Sequence, residues 1–538
     1  MGIFFNPGNE GFSSIVSSQL YVDKTGLIDY VNSVLGTEQR MLCVSRPRRF
    51  GKSMAVKMLV SYYSKGCDSK QLFHHLKIEN LPTYQKELNK HNVIYLDMQW
   101  FHSVAKEKGI LEQEIVYLQK EVIQELKEYY PTIIGDDITL LSEALFRIYS
   151  ITKERFIIII DEWDCIFRED KDNVIQQERY INFLRGMFKG ILADVAIELV
   201  YMTGILPIKK YGTQSALNNF DEYTMLDPTP MEEYMGFTEL EVQNLCKQYT
   251  MDFEKMKRWY DGYVFENEMH IYSPKSVIDA VRKKRINNYW TKTETYEVLK
   301  YYIEQNFDDL KNAIITMLAG EKYRVNTRKF QNDMTSLKSK DDVMTLLIHL
   351  GYLAYDRNSK KVFIPNNEVS EEFENAIEDG EWEDVSNALK ASDELLEQTF
   401  QKNETAVAQG IDNVHTENTS VLSYNNEQSL SCVIAIAYYS AKKYYTLIRE
   451  LPTGNGFADI VFLPKPHCDK PALIVELKWN HSANGAIEQI KNKKYIKALE
   501  NHVGKVLLVG INYDKKTRKH ECVIEEIELF NQIKQEWI

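Results

Sequence analysis

Between residues 41 and 227, short apolar runs alternate with longer stretches whose apolar residues recur at helical spacing. The runs Met41–Ser45, Val93–Asp97, Phe156–Asp161, Glu198–Thr203 and Tyr223–Leu226 predict strands, with helices between most of them. Such alternation predicts an α/β fold: a parallel sheet covered by helices on both faces. Phe156-Ile157-Ile158-Ile159-Ile160 is apolar without a break, as a strand buried on both faces requires. From about 228 to 400 helical patterns dominate, and Thr238 followed by Glu241 predicts a capped helix start. Asp341–Leu350 predicts a helix, and Gly351–Tyr355 and Val362–Pro365 predict strands about the polar turn Asp356–Lys361. A helix followed by a hairpin suits a winged-helix-like module, and equally a unit used only for packing. Residues 401–426 carry few large apolar side chains and predict a polar boundary, compatible with partial helicity. The remainder reads as a helix (Gln428–Tyr439), three strands (Tyr444–Leu451, Ala458–Leu463, Ala472–Trp479), a helix (Ala486–Glu500) and a strand (Lys505–Asn512). The expected domains are therefore 1–227, 228–400 and 427–538, with 401–426 between the last two.

A chain of 538 residues has room for about two to four such domains. Its 44% apolar and 27% charged content is ordinary for a globular protein. No apolar run approaches the ~20 residues that span a bilayer. The N-terminus has no charged segment followed by a long apolar one, which argues against a secretory signal. Seven scattered cysteines without a Cys-x-x-Cys predict neither a zinc site nor a disulfide framework. Together these features predict a protein of the reducing cytoplasm, with no membrane partner. The net charge of −13 argues against a surface that coats nucleic acid through its overall field. Local basic clusters remain at Val281-Arg282-Lys283-Lys284-Arg285, Lys491-Asn492-Lys493-Lys494 and Lys515-Lys516-Thr517-Arg518-Lys519. Each suits a solvated helix face or turn as well as a binding site.

Two constellations carry chemistry. Near the N-terminus, Ser45-Arg46-Pro47-Arg48-Arg49-Phe50-Gly51-Lys52-Ser53 follows a predicted strand and precedes a predicted helix. Its Gly51-Lys52-Ser53 end matches a Walker A loop, in which backbone N–H groups cradle phosphate, the Lys reaches the β- and γ-phosphates, and the Ser binds Mg²⁺. Arg46 stands where the first Gly is usual, and Arg46, Arg48 and Arg49 add positive charge. Asp161-Glu162, at the end of the apolar Ile run, fits the companion acidic element. Asp161 would bind Mg²⁺ through water, and Glu162 would act as the general base on an attacking water. Thr203 ends the next strand, where a polar residue can sense the γ-phosphate or merely terminate the strand. By analogy with additional-strand P-loop NTPases, the strand order would be 5-1-4-3-2.

In the last quarter, Asp459 lies on one predicted strand and Glu476-Leu477-Lys478 on the next. Residues two apart share a face of a strand, so Glu476 and Lys478 point the same way. Two carboxylates and a Lys could hold a divalent metal and steady a phosphate; they would also suit a salt-bridged pair of surface strands.

These motifs, with Tyr21-Val22-Asp23-Lys24-Thr25, Asp161-Glu162-Trp163-Asp164, Asn218-Asn219-Phe220, Gly236-Phe237-Thr238-Glu239 and Trp259-Tyr260-Asp261-Gly262-Tyr263, make the chain resemble a family of prokaryotic proteins. That family joins an AAA-ATPase-like domain to a C-terminal PD-(D/E)xK nuclease-superfamily domain, and the resemblance covers nearly the whole chain. It implies a restriction-endonuclease-like α/β fold for the C-terminal domain. In the family the substituted first Gly is usual, so Arg46 is no sign of decay. By resemblance, Asp459 and Glu476 are metal ligands and Lys478 the partner Lys that positions or activates water. Glu427 is a further ligand, with Glu450 competing for that place, and Gln489 is the auxiliary Gln. Ala458 stands where the family name has Pro, at a position that varies widely. The resemblance implies ATP (held by Arg49, Gly51, Lys52, Ser53, Asp161 and Thr203), Mg²⁺ or Mn²⁺, DNA or RNA as partner, and a homo-oligomer as one compatible assembly. The leading expectation is an ATPase coupled to a Mg²⁺-dependent DNA nuclease, in defence or mobile-element biology. The alternatives are a nucleotide-dependent nucleic-acid-binding switch and a protein scaffold without cleavage activity.

Overall fold

The structure is a computed structural model that describes residues 2–208, 217–265, 268–290, 294–305, 310–330, 337, 339–379, 383–417, 433–453, 456–465, 468–492 and 504–529. The chain folds as two units: 1–295 with 324–371, and 296–323 with 372–538. The stretch 228–400, expected as a single helical region, is thus shared between them. No helix among the described residues is long and apolar enough to cross a membrane.

The first unit is built on strands β1 (Met41–Ser45), β2 (Asn92–Asp97), β3 (Phe156–Asp161), β4 (Ile197–Gly204) and β5 (Asp221–Tyr223). All pair in parallel, in the order β2-β3-β4-β1-β5, the 5-1-4-3-2 order expected from the phosphate loop. Alternation along each strand divides the core in two. Cys43, Ile158, Ile160, Val200 and Met202 enter the core on one face of the sheet. Leu42, Val44, Ile157, Ile159 and Tyr201 enter that on the other. Both faces must be covered, which is why β3 reads as an unbroken apolar run. Helix α1 (Lys52–Tyr63) follows β1 and buries Val56, Leu59 and Tyr63 against the second face.

Thr238 caps the helix Glu239–Tyr249 in a reciprocal capping box with Glu241, as its sequence predicts. Further along, the helix Lys340–Leu350 ends at Gly351, whose φ of +86° is left-handed. The strands Ala354–Asp356 and Lys361–Phe363 then form an antiparallel hairpin, as expected. A Cβ on Gly351 would lie 2.9 Å from the Pro47 ring, so this helix end packs directly on the phosphate loop.

The second unit carries a sheet of strands β6 (Tyr445–Thr453), β7 (Gly456–Pro464), β8 (Ala472–Trp479), β9 (Gly504–Asp514) and β10 (Lys519–Leu529), in that order. Pairing is antiparallel except between β8 and β9, which are parallel. A parallel pair needs a crossover, and helix α3 (Ala483–Asn492) lies in it, burying Ala486, Ile487 and Ile490. Residues 493–500 of the longer helix expected there lie outside the described residues, as do 428–432 of the helix expected before β6. The final strand β10 was not expected. Its Glu521, Glu525, Glu526 and Glu528 interrupt the apolar pattern, yet His520, Cys522 and Ile524 face inward.

The boundary segment 401–426, open to partial helicity in the sequence, is helical over most of its described residues. Its residues Glu404–Glu417 form a helix, α2 by chain order, whose Val407, Ile411 and Val414 are buried. Three apolar residues spaced four and three apart suffice for one buried stripe even in a polar segment. This helix closes the open edge of the sheet. The Glu404 carboxylate accepts from the Ile524 N–H at 2.8 Å, and the Asp412 carboxylate accepts from the His520 N–H at 2.9 Å. Edge-strand N–H groups that would otherwise face solvent are thereby occupied.

Gly510 on β9 lies under the start of α3, where a Cβ would sit 2.4 Å from the Ala483 carbonyl oxygen. Backbone cannot yield as a flexible side chain can, so Gly510→Ala should cost about 1–3 kcal/mol. Gly186→Ala, in a helix with open space around it, should instead be neutral or stabilising by up to about 1 kcal/mol. Urea unfolding of both variants measures this, and equal stabilities would refute the close-approach argument.

Candidate functional site

The phosphate loop leaves β1 at Ser45 and enters α1 at Lys52. Gly51 has φ +92°, a left-handed backbone that favours glycine, and Arg49 adopts φ +70°. The turn points the N-terminus of a twelve-residue helix at the loop interior, the geometry that suits a phosphate. The Lys52 ammonium is buried and donates to the carbonyls of Arg46 and Pro47, each at 3.0 Å. Burial lowers its pKa, while Glu162 and Asp161 act in the opposite direction.

Arg46 turns away from the loop interior. It is fully buried, donating through Nη1 to the carbonyls of Ser45 and Tyr223 at 2.9 Å each, and lies 5.7 Å from the Phe265 ring centroid. Burial pushes its pKa down to about 10, so it remains a cation at neutral pH. Arg49 likewise leaves the loop, donating to the Tyr289 carbonyl at 2.8 Å. The charge read into the loop from its three arginines is therefore spent partly on packing.

At the end of β3, Asp161 is buried and accepts from the Thr203 hydroxyl and from the Glu162 N–H. Asp161 and Glu162 thus lie near Lys52, Thr203 is bonded to Asp161, and Lys52, Ser53 and Glu162 line one cavity. Glu162 sits in the left-handed region at φ +55°, and its carboxylate pairs with Arg168. Burial raises the Glu162 pKa, against the opposing pull of Lys52 and Arg168. Two partners here were not anticipated. Asp164 accepts from the N–H groups of Ile205 and Leu206 at 3.0 and 2.8 Å, and Arg168 also pairs with Asp164 at 3.2 Å. The i,i+4 spacing of Asp164 and Arg168 was the available signal.

Beside Gly51, Lys52 and Ser53 opens a cavity of about 420 Å³, lined by Phe12, Tyr21, Phe237 and Ile278 with Lys24 and Lys275. Its size falls in the ordinary range for small-ligand sites, which are mostly apolar with a few polar groups. These wall residues are dispersed over the chain, and their patterns resemble any core.

In the second unit, the ladder between β7 and β8 runs from Phe462↔Leu473 to Ile460↔Val475 and stops. The next residue, Asp459, would face Glu476; instead its carboxylate accepts from the Leu477 N–H at 2.8 Å. The strands part at this point, and the acids flank the gap. Glu476 is only 1% exposed, and its Oε1 accepts from Lys478 Nζ at 3.1 Å and from the Gln489 amide on α3. The fold therefore brings Asp459, Glu476, Lys478 and Gln489 together. Glu427 and the side chain of Glu450 lie outside the described residues. A buried carboxylate with a second one on the adjoining strand is a hard-oxygen donor set that fits Mg²⁺ or Mn²⁺. Ser53 and Asp161 offer the same kind of donors beside the phosphate loop.

Comparison with known proteins agrees with both descriptions. Residues 8–213 match the model of a predicted AAA-ATPase, and residues 425–522 match a model of the PD-(D/E)XK nuclease superfamily. The chain thus joins an AAA-ATPase-like domain to a PD-(D/E)XK nuclease-superfamily domain. A curated relative, an uncharacterized protein in the vnfD 5' region of Azotobacter chroococcum mcd 1, is 24% identical over 282 residues. The match covers 51% of each, so the chain spans about half the length of that relative. Similar solved structures include a DNA replication initiation factor (TM-score 0.23, 9% identity, 57% of this chain and 72% of that one). Others are PCH-2 of C. elegans (0.21, 14%, 48% and 53%) and the Aeropyrum pernix ORC2 protein (0.28, 11%, 68% and 97%).

If Arg46 serves packing rather than phosphate, restoring the usual glycine should harm the protein. Arg46→Gly opens a cavity and should cost about 2–5 kcal/mol, without tightening nucleotide binding. Arg46→Met, similar in volume, should stay within about 1 kcal/mol of wild type or exceed it. Thermal unfolding with nucleotide titration decides the matter; tighter binding by Arg46→Gly at unchanged stability would refute the packing role.

Proposed function

We propose that this chain is an ATPase coupled to a divalent-metal-dependent DNA nuclease. The observation that carries the reading is convergence: residues scattered in sequence meet as Lys52, Asp161, Glu162 and Thr203 in one unit, and as Asp459, Glu476, Lys478 and Gln489 in the other.

In the first unit Lys52 exchanges the Arg46 and Pro47 carbonyls for the β- and γ-phosphates of ATP, and the base enters the apolar cavity between Phe12, Tyr21 and Phe237. Gly51 and Arg49 shape the loop that presents its N–H groups to the phosphates. Ser53 and Asp161 would hold Mg²⁺, which when bound neutralises phosphate charge. Glu162, its pKa raised by burial, accepts the proton of the attacking water. Thr203, already bonded to Asp161, reports the γ-phosphate to the end of β4.

In the second unit Asp459 and Glu476 would hold Mg²⁺ or Mn²⁺, which when bound favours hydroxide near neutral pH and shields the phosphodiester. Lys478 releases Glu476 to orient the water and to meet the negative charge that develops on the phosphate. Gln489 keeps the Glu476 carboxylate turned toward the gap between β7 and β8. Glu427, by its resemblance, would add a further ligand.

Lys52→Ala should abolish nucleotide binding and turnover. Glu162→Gln should bind ATP yet lose about 10²–10⁴-fold in turnover. Equal phosphate release by these and wild type would sink the ATPase assignment. For the nuclease, plasmid and single-stranded DNA are incubated with Mg²⁺ or Mn²⁺, with and without ATP. Cleavage by wild type, lost in Asp459→Ala and Lys478→Ala, is the expected result. A wild type that cuts nothing under any of these conditions, or variants that cut equally well, would refute it and leave the non-cleaving switch.

A further inference from the structure

The turn between β9 and β10 is Lys515-Lys516-Thr517-Arg518, and Lys519 opens β10, so four cations fall within five residues. All five side chains are exposed. Among the described residues none of these four cations is ion-paired, whereas Lys491 and Lys505 of the same unit are held by Glu525 and Glu526. In a chain of net charge −13, a cluster of unneutralised cations is a local reversal of the surrounding field.

The backbone of this turn is fixed. Asp514 Oδ1 accepts from the N–H groups of Lys516 and Thr517 at 2.6 and 3.1 Å, and the Arg518 N–H donates to the Asp514 carbonyl at 2.7 Å. The turn is also bolted to the end of the Glu-x-Lys strand. The Lys515 N–H donates to the Asn480 side chain at 2.8 Å, and the Asn480 N–H donates to the Tyr513 carbonyl at 2.8 Å. One step back, Asn512 both accepts from the His481 N–H and donates to the His481 carbonyl. Register places Lys478 beside Asn512, with Asp514 and Lys519 closing the ladder two residues further. At about 3.3 Å per residue, the cations begin only ~7 Å beyond Lys478 along the sheet. That is about two base pairs of duplex at 3.4 Å each.

We propose that this turn is a backbone clamp for duplex DNA, which seats a phosphate run so that the neighbouring phosphodiester lies over Asp459, Glu476 and Lys478. The inference rests on the nuclease reading of those residues. Duplex is favoured over a single strand because stacking needs free aromatic faces. The aromatics of this sheet end, Trp479 and Tyr513, pack on each other with centroids 4.9 Å apart, and Tyr513 is buried. Lys and Arg contacts without base-edge readers bind any sequence, so the clamp fixes position rather than sequence.

The test uses the full-length protein in EDTA, where the nuclease cannot cut, with fluorescence anisotropy of a short blunt DNA duplex from about 50 to 200 mM salt. Each phosphate contact contributes a slope of about 0.9 in log K against log salt. The variant K515Q/K516Q/R518Q/K519Q should therefore lose about 2–4 from the slope and more than tenfold in affinity at the lowest salt. The charge-retaining variant K515R/K516R/R518K/K519R should bind like wild type, and thermal unfolding checks that both are folded. Unchanged slope and affinity in the Gln variant would overturn the clamp alone. So would a loss confined to single-stranded DNA or to duplex RNA. A wild type that binds no DNA under any of these conditions would strike the nuclease reading itself, and the clamp with it.

Discussion

Buried charge at the carboxyl ends of β3 and β4 is the constraint on which the nucleotide site depends. Asp161, Asp164 and Lys52 are all nearly inaccessible to water, and an isolated ion there would cost several kcal/mol. Each charge is answered locally. Asp164 takes the N–H groups of Ile205 and Leu206, Thr203 donates to Asp161, and Arg168 spans Glu162 and Asp164. Removing one member would strand the others, so the loop, the acidic strand end and Thr203 are held as one block. The same network ties Glu162 to Arg168, which links its position to the short helix that follows β3.

The second unit solves a related problem with different means. A carboxylate as buried as Glu476 needs donors, and Lys478 and Gln489 supply them from the same strand and from the crossover helix. Asp459 is anchored by the Leu477 N–H because the ladder between β7 and β8 ends one residue earlier. The parting of two strands, rather than any loop, sets Asp459 and Glu476 on either side of the gap. Gly510 lets α3 approach β9 closely and so brings Gln489 within reach of Glu476.

Much of this was legible before folding. Unbroken apolar runs announced the parallel sheet, and Gly51-Lys52-Ser53 with Asp161-Glu162 announced the loop and the acids that lie near Lys52. The Glu-x-Lys spacing put Glu476 and Lys478 on one face. Less legible were features whose signal is weak locally. The helix Glu404–Glu417 hid in a polar segment because three buried side chains are enough for one stripe. Strand β10 hid behind four glutamates that break its apolar pattern, although His520, Cys522 and Ile524 are buried. The cavity walls could not be read at all, since Phe12, Tyr21, Phe237 and Ile278 come from distant segments and look like core.

The sequence by itself determined which chemistry each segment could perform, because side-chain type and spacing along a helix or strand are local properties. The order of the sheet came only by analogy with additional-strand P-loop NTPases, because residue pattern fixes which segments are strands and not which strands are neighbours. Tertiary structure decided where the charges point. Arg46 and Arg49, which look like phosphate ligands in the loop, turn instead to backbone carbonyls at Tyr223 and Tyr289. Conversely, the cations of Lys515–Lys519, which look like any solvated turn, come to begin about two residues beyond Lys478 along the sheet. Both outcomes follow from register and long-range packing, which no short window of sequence contains.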